Sequence, residues 1–170
     1  NVNTTINAVL FPAMSKLQDD KEGVKRAIRR SMMTSSYVMF PLLFILAATA
    51  DKVVLVLLTE KWMPCVPFMR VLCIGHCMTV LSAANIQAVN AVGRSDITLK
   101  LEFIKKPFYV VAICFAMFIS PFAIAVANVL YGFVGVLLNT WPNKKLVNYK
   151  FAEQLSDIRP QLLLSLAVAA

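Results

Sequence analysis

Acidic residues are scarce in this chain: nine Asp and Glu stand against 17 Lys and Arg, a formal net charge of +8 over 170 residues. Histidine is scarcer still, with His76 alone. A histidine with no acid nearby, and apolar runs with no paired carboxylates, leave general acid–base catalysis poorly supported. Neither a Ser/His/Asp set nor a Gly-rich phosphate loop is present. Four cysteines form no framework. Cys73 and Cys77 lie one helical turn apart beside His76, but no carboxylate is near, and a metal wants three or four converging ligands. These thiols read as small buried hydrophobes, with Cys114 in another apolar run and Cys65 near an outer surface. The sequence therefore predicts no catalytic residue, no metal and no cofactor. No secretory signal is expected within these residues: Asn1 is not a start residue, and the first basic cluster comes well inside the chain. With the terminal QLLLSLAVAA stopping in mid-run, the expectation is an internal piece of a longer polytopic protein.

What the chain has in excess is apolar surface. Hydrophobic residues make up 59% of it and the mean hydropathy is +0.70, above the roughly one-half apolar usage of soluble domains. They come in long runs, of which Phe68–Gly93 is the most informative. Between Arg70 and Arg94 it holds no acid or base except His76, and as a helix it would measure about 35 Å, enough to cross a hydrocarbon core of ~30 Å. Yet His76, Thr79, Ala83, Gln87 and Asn90 recur at helical spacing on one face. A polar stripe on a spanning helix must face other helices or a wet cavity.

The basic residues alternate with the apolar runs. Lys16, Lys21, Lys25, Arg26, Arg29 and Arg30 precede the first full run; Arg94, Lys100, Lys105 and Lys106 follow the Phe68–Gly93 helix; Lys144, Lys145, Lys150 and Arg159 fill the last loop. The intervening connections hold only Lys52 and Lys61, with Arg70 just inside the helix. This is the positive-inside signature, which makes the basic loops cytoplasmic. A nucleic-acid patch has no reason to alternate with membrane-length segments, so no nucleic acid is expected as a partner.

The fold expected is all-α, a polytopic transmembrane helix bundle in contact with membrane lipids. Its spans are 1–14 (partial), 32–50, 68–93, 101–119, 122–141 and 158–170 (partial), with cytoplasmic loops at 15–31, 94–100 and 142–157. Within the first loop, Val24, Ala27 and Ile28 share one helical side that can lie along the membrane surface. Pro41 interrupts one hydrogen bond of the 32–50 span. Val53–Leu58 is too short to cross and is expected in the outer interface, anchored by Trp62. Lys105 and Lys106 read as snorkelling headgroup anchors. Leu101–Trp141 as one helix would be about 60 Å long, so a hairpin is required at Ser120-Pro121. In the returning helix Asn128, Gly132, Gly135 and Asn139 share a face, where small residues admit a neighbour and amides bond across.

Three segments carry a resemblance: VLFPAMSKLQDD (Val9–Asp20), LTEKWMPCVPFMRVLC (Leu58–Cys73) and NAVGRSDITLKLEFIKK (Asn90–Lys106). Their order and spacing resemble Wzx-type (colanic-acid/O-antigen) polysaccharide exporters, of the polysaccharide biosynthesis/export family in the multidrug/oligosaccharidyl-lipid/polysaccharide (MOP) superfamily. FPxxS and GRSD followed by basic residues are the most specific elements, and both are structural signatures at helix ends. The resemblance implies a C-terminal-half fragment: most of the second lobe of a two-lobed MOP-type transporter whose missing N-terminal lobe is its partner. It further implies a multi-pass protein of the bacterial inner membrane. Such a protein moves undecaprenyl-pyrophosphate-linked oligosaccharide repeat units between leaflets by alternating access, alongside the polysaccharide polymerase machinery.

On that reading the substrate-cavity candidates are Arg70, His76, Thr79, Gln87, Asn90, Asn128, Asn139, Asn3 and Asn7. Arg70 would meet a pyrophosphate near the outer exit or serve as a snorkelling interface anchor. The amides of Gln87, Asn90, Asn128 and Asn139, and of Asn3 and Asn7, suit sugar hydroxyls or interhelical hydrogen bonds equally. His76 is a proton relay without a visible partner or a satisfied buried histidine. Two alternatives stay open. An ion-coupled multidrug exporter of the same superfamily calls for an intramembrane carboxylate, and a membrane-embedded polymerase calls for a large outer loop with catalytic residues.

Overall fold

The computed structural model describes residues 20–169, so Asn3 and Asn7 lie outside the described residues. Six α-helices follow one another: α1 (Lys21–Ala48), α2 (Ala50–Leu58), α3 (Val66–Ala91), α4 (Ser95–Ile119), α5 (Pro121–Leu146) and α6 (Phe151–Ala169), with a 3₁₀ turn at Glu60–Cys65. No strand occurs among the described residues. The chain is an all-α, polytopic membrane bundle. Three helical segments (Lys21–Ala48, Glu60–Ala91 and Pro121–Leu146) combine the length and apolarity to cross a bilayer. The fourth long helix, α4, falls short on composition because Glu102, Lys105 and Lys106 lie in its first half.

Local chemistry sets most helix ends. At Ser120 the backbone is extended and the side-chain oxygen accepts from the Ala123 N–H at 3.1 Å, while Pro121 opens α5 where no N–H is needed. This cap breaks one apolar run into the α4–α5 hairpin. The turn from α3 to α4 needs a positive φ of 75° at Gly93, and glycine adopts it without strain. The Gly93 N–H then bonds the Asn90 carbonyl and the Arg94 N–H that of Val89.

α3 is the central helix, packed most extensively on α5 and α1. α6 packs mainly on α1, and α4 packs mainly on α5, touching α3 only sparingly. The core joins Val24, Ile28, Met32, Phe40 and Leu43 of α1 to Cys73, Cys77, Leu81, Ala84 and Ala88 of α3. Cys73 and Cys77 are thus small core residues, and no metal-holding group of His, Cys, Asp or Glu exists among the described residues. Elsewhere large apolar side chains point outward in numbers no soluble fold sustains, among them Phe103, Val111, Phe115 and Leu130.

Two expectations are corrected. The segment expected to lie on the membrane surface is the first third of α1, and Val24 and Ile28 are fully buried in the cluster that includes Val147, Tyr149 and Ile158. Packing against α6 wins because that helix begins at Phe151, far earlier than its apolar run at 158 indicates. Correspondingly, α5 continues through Pro142 to Leu146, and only residues 147–150 separate it from α6. The short α2 buries Ala50 and Val54 in its first half and exposes Leu55, Val56, Leu57 and Leu58 in its last turn.

A cavity between α3, α4 and α5 as candidate functional site

Glycine brings α3 and α5 together. A Cβ on Gly75 would sit 2.8 Å from Val129 Cγ2, and one on Gly132 would sit 3.7 Å from the Gly75 carbonyl oxygen. Because α4 leans on α5 and scarcely reaches α3, a wedge opens among the three helices. It forms a cavity of about 380 Å³, walled by His76, Thr79 and Ser82 of α3, Glu102, Lys105 and Tyr109 of α4, and Asn128, Tyr131, Gly135 and Asn139 of α5.

Lys105 is the one Lys or Arg in this wall. It stands about 15 Å along α4 from Ser95, taking ~1.5 Å per residue, yet its side chain is only 4% exposed. An ammonium in such a place is tolerable only when paired and hydrogen-bonded. Both conditions are met: Nζ donates to Asn139 Oδ1 at 2.9 Å and to Glu102 Oε1 at 2.5 Å. The Asn139 amide in turn donates to Ser82 Oγ. One continuous chain of hydrogen bonds therefore ties α4 to α5 to α3. Nearer the opposite end of the cavity, Asn128 Nδ2 donates to the Tyr109 hydroxyl at 3.1 Å, and the Tyr109 and Tyr131 rings lie 4.4 Å apart.

The placement of Lys105 corrects its reading as a headgroup anchor. Lys106 is exposed, but Lys105 shares a helical face with Glu102 and Tyr109 and turns inward with them. That one-face spacing was the available signal. Glu102 places a carboxylate beside Lys105, within the span expected at 101–119.

The predicted residues scatter more widely than one stripe. His76 and Thr79 reach the cavity, and the Thr79 hydroxyl bonds the His76 carbonyl at 2.8 Å. Asn128 and Asn139 reach it from α5. Gln87 and Asn90 do not line it; Asn90 Oδ1 accepts from the Thr98 hydroxyl at 2.8 Å and so braces the α3–α4 turn. Arg70 sits at the other end of α3, where Nε donates to the Ala47 carbonyl at 3.2 Å and Nη2 pairs with Asp51 at 3.3 Å. Both partners belong to the junction between α1 and α2.

Sequence reading missed two polar nodes. Asn85, fully buried on α3, exchanges hydrogen bonds with Gln154 of α6 at 2.9 Å and accepts from Asn143 Nδ2 of α5 at 2.7 Å. At the basic end Asp157 takes Arg29 at 2.5 Å and the Tyr149 hydroxyl at 2.8 Å, while Lys25 pairs with Glu153 at 3.2 Å. Burial first, and then the hydrogen bond to Asp157, hold the Tyr149 hydroxyl well above the usual tyrosine range. In the exposed turn, hydrogen bonding to Arg94 lowers the Asp96 carboxyl.

Residues 1–67 match the family model described as polysaccharide biosynthesis protein. The chain is similar to polysaccharide biosynthesis proteins of the Wzx type. Three relatives carry the similarity further along it. It is 32% identical to a Klebsiella pneumoniae protein described as an uncharacterized membrane protein in the cps region, over 61% of this chain and 21% of the relative. To the lipopolysaccharide biosynthesis protein WzxC of Escherichia coli K12 it is 28% identical, over 66% of this chain and 23% of that protein. To the teichuronic acid biosynthesis protein TuaB of Bacillus subtilis 168 it is 28% identical, over 56% of this chain and 20% of that one. The chain thus spans about a fifth of the length of these relatives. No solved structure matches it.

Proposed function

We propose that this chain is part of a transporter that moves undecaprenyl-pyrophosphate-linked oligosaccharide units across the bacterial inner membrane by alternating access. The cavity between α3, α4 and α5 is one wall of the route, and the rest of the protein supplies the other. The observation that carries this reading is the cavity itself, in which hydroxyls, amides and one paired lysine are set among apolar residues such as Leu72, Ile86 and Val129, inside a bundle whose outer faces are apolar. Sugar hydroxyls exchange hydrogen bonds with Asn128, Asn139, Thr79 and Ser82, and an anionic headgroup needs a cation within reach. The names of two relatives, one of lipopolysaccharide and one of teichuronic acid biosynthesis, support a polysaccharide precursor as cargo. In this arrangement the basic ends face the cytoplasm, Arg70 anchors the outer interface, and the polymerase machinery takes the delivered units.

The test uses the full-length protein in a strain lacking its own exporter. Wild type restores surface polysaccharide, while Asn128→Ala and Asn139→Ala reduce it with unchanged membrane levels of the protein. Full restoration by both variants would remove the cavity from the route. Glu102 gives the ion-coupled exporter a foothold, because it is a carboxylate in the cavity wall. Drug efflux without polysaccharide restoration would favour that reading.

A further inference from the structure

Glu102 and Lys105 are unequal partners. Lys105 is 4% exposed and held by Asn139, whereas Glu102 is 32% exposed. They lie one helical turn apart on α4, so their pairing depends on no other element. An ammonium has three donors, and Asn139 and Glu102 occupy two of them. Among the described residues Glu102 is the only acid paired with Lys105. Lys105 is enclosed by this chain, whereas about a third of Glu102 is left uncovered.

We propose that Glu102 is a stand-in for a phosphoryl anion. When a polyprenyl phosphate or pyrophosphate enters the cavity, its phosphate oxygens take over Lys105 Nζ and Glu102 turns out toward solvent. The exchange rests on the cavity being the transport route, and it goes beyond that reading by assigning the headgroup's receptor and the group it displaces. Its physical advantage is that Lys105 stays neutralised whether the site is empty or loaded, so no unpaired ammonium is left in low dielectric. A neutral lipid or glycan has no charge with which to displace a carboxylate, so the pair selects anions. A multiply charged phosphate makes stronger charge-assisted hydrogen bonds to Lys105 than a single carboxylate does. The Ser82 and Tyr131 hydroxyls in the same wall are further donors to phosphate oxygens.

The experiment measures binding to the full-length protein in nanodiscs of three probes: a polyprenyl pyrophosphate, the matching polyprenol and inorganic pyrophosphate. Wild type is expected to bind the first and not the second. Lys105→Met weakens pyrophosphate binding by about tenfold or more, the loss of one charge-assisted contact. Glu102→Gln, which leaves the cation without a charged competitor, tightens it severalfold. The double variant Lys105→Met/Glu102→Gln removes both charges at nearly constant volume and binds no better than Lys105→Met, with thermal unfolding reporting that it folds. Competition by inorganic pyrophosphate would show that the phosphate group alone suffices, and its absence would assign the lipid-attached headgroup. Unchanged or weaker binding in Glu102→Gln, or wild-type affinity in Lys105→Met, overturns the exchange while the transport reading stands. If the wild type binds none of the probes, both fall.

Discussion

Gly75 and Gly132 occupy the same α3–α5 contact and should respond to alanine in opposite directions. At Gly75 the added Cβ meets Val129 Cγ2 at 2.8 Å and Val129 Cα at 3.5 Å. Val129 is β-branched and its χ1 is stiff within a helix, so the clash cannot be relieved by a rotamer change alone. Overpacking of this kind costs about 1–3 kcal/mol, against a gain of up to ~1 kcal/mol from replacing a helical glycine. The net expectation for Gly75→Ala is a loss of up to about 2 kcal/mol. At Gly132 the Cβ meets Met78 Cβ at 3.6 Å and the Gly75 carbonyl at 3.7 Å, which is ordinary contact. Gly132→Ala should therefore be neutral or gain about 0.5–1 kcal/mol. Thermal unfolding of the full-length protein in detergent, followed by loss of the monodisperse chromatographic peak, ranks the variants. The expected order is Gly132→Ala at or above wild type and Gly75→Ala below it. A Gly75→Ala protein as stable as wild type, with Gly132→Ala destabilised, would refute the helix contact as described.

Three further outcomes follow from the polar nodes. Asp157→Ala strips the Tyr149 hydroxyl and Arg29 of a shared acceptor, and because Arg29 is half-exposed the expected loss is about 2–3 kcal/mol, read by the same unfolding assay. The raised Tyr149 pKa adds a sign that can be checked: folding stability from this group is complete below the unfolded-state pKa of about 10 and declines as pH rises toward the folded value. The Tyr149→Phe variant should lose less stability between pH 9 and about 11.5 than wild type does. Asn85→Ala takes from buried Gln154 both of its Asn85 partners and leaves Asn143 Nδ2 only the residue-85 carbonyl at 3.0 Å, and should cost about 2–4 kcal/mol, whereas Asn90→Ala, which frees only the Thr98 hydroxyl, should cost about 1 kcal/mol or less.

The membrane character and the α4–α5 break were legible because each is carried by local signals: run length, and a serine cap followed by proline. The cavity was half legible. Periodicity put His76 and Thr79 on one face of α3, but it could not say how far along that face the neighbouring helix leaves a gap, so Gln87 and Asn90 were grouped with them. Asn85 lies off the stripe and looked like an ordinary residue of an apolar run. Its role exists only because α5 and α6 bring Asn143 and Gln154 to it. Lys105 was misread for a similar reason. Beside Lys106 it looks like an interfacial pair, and only the i,i+3 partner Glu102 and the distant Asn139 turn it inward. Val24 and Ile28 fit a surface stripe equally well until α6 is seen to cover them.

A bilayer outside the bundle and water inside the cavity are both read by cysteine accessibility in one experiment. In a full-length protein without its native cysteines, single replacements are made at Thr79 and Asn128, which line the cavity, and at Phe103 and Val111, which are exposed on α4 away from it. Membranes are then treated with a small hydrophilic maleimide. Labelling of Thr79→Cys and Asn128→Cys, with Phe103→Cys and Val111→Cys protected until detergent is added, is the predicted result. Rapid labelling of the α4 positions together with unreactive cavity positions would contradict it.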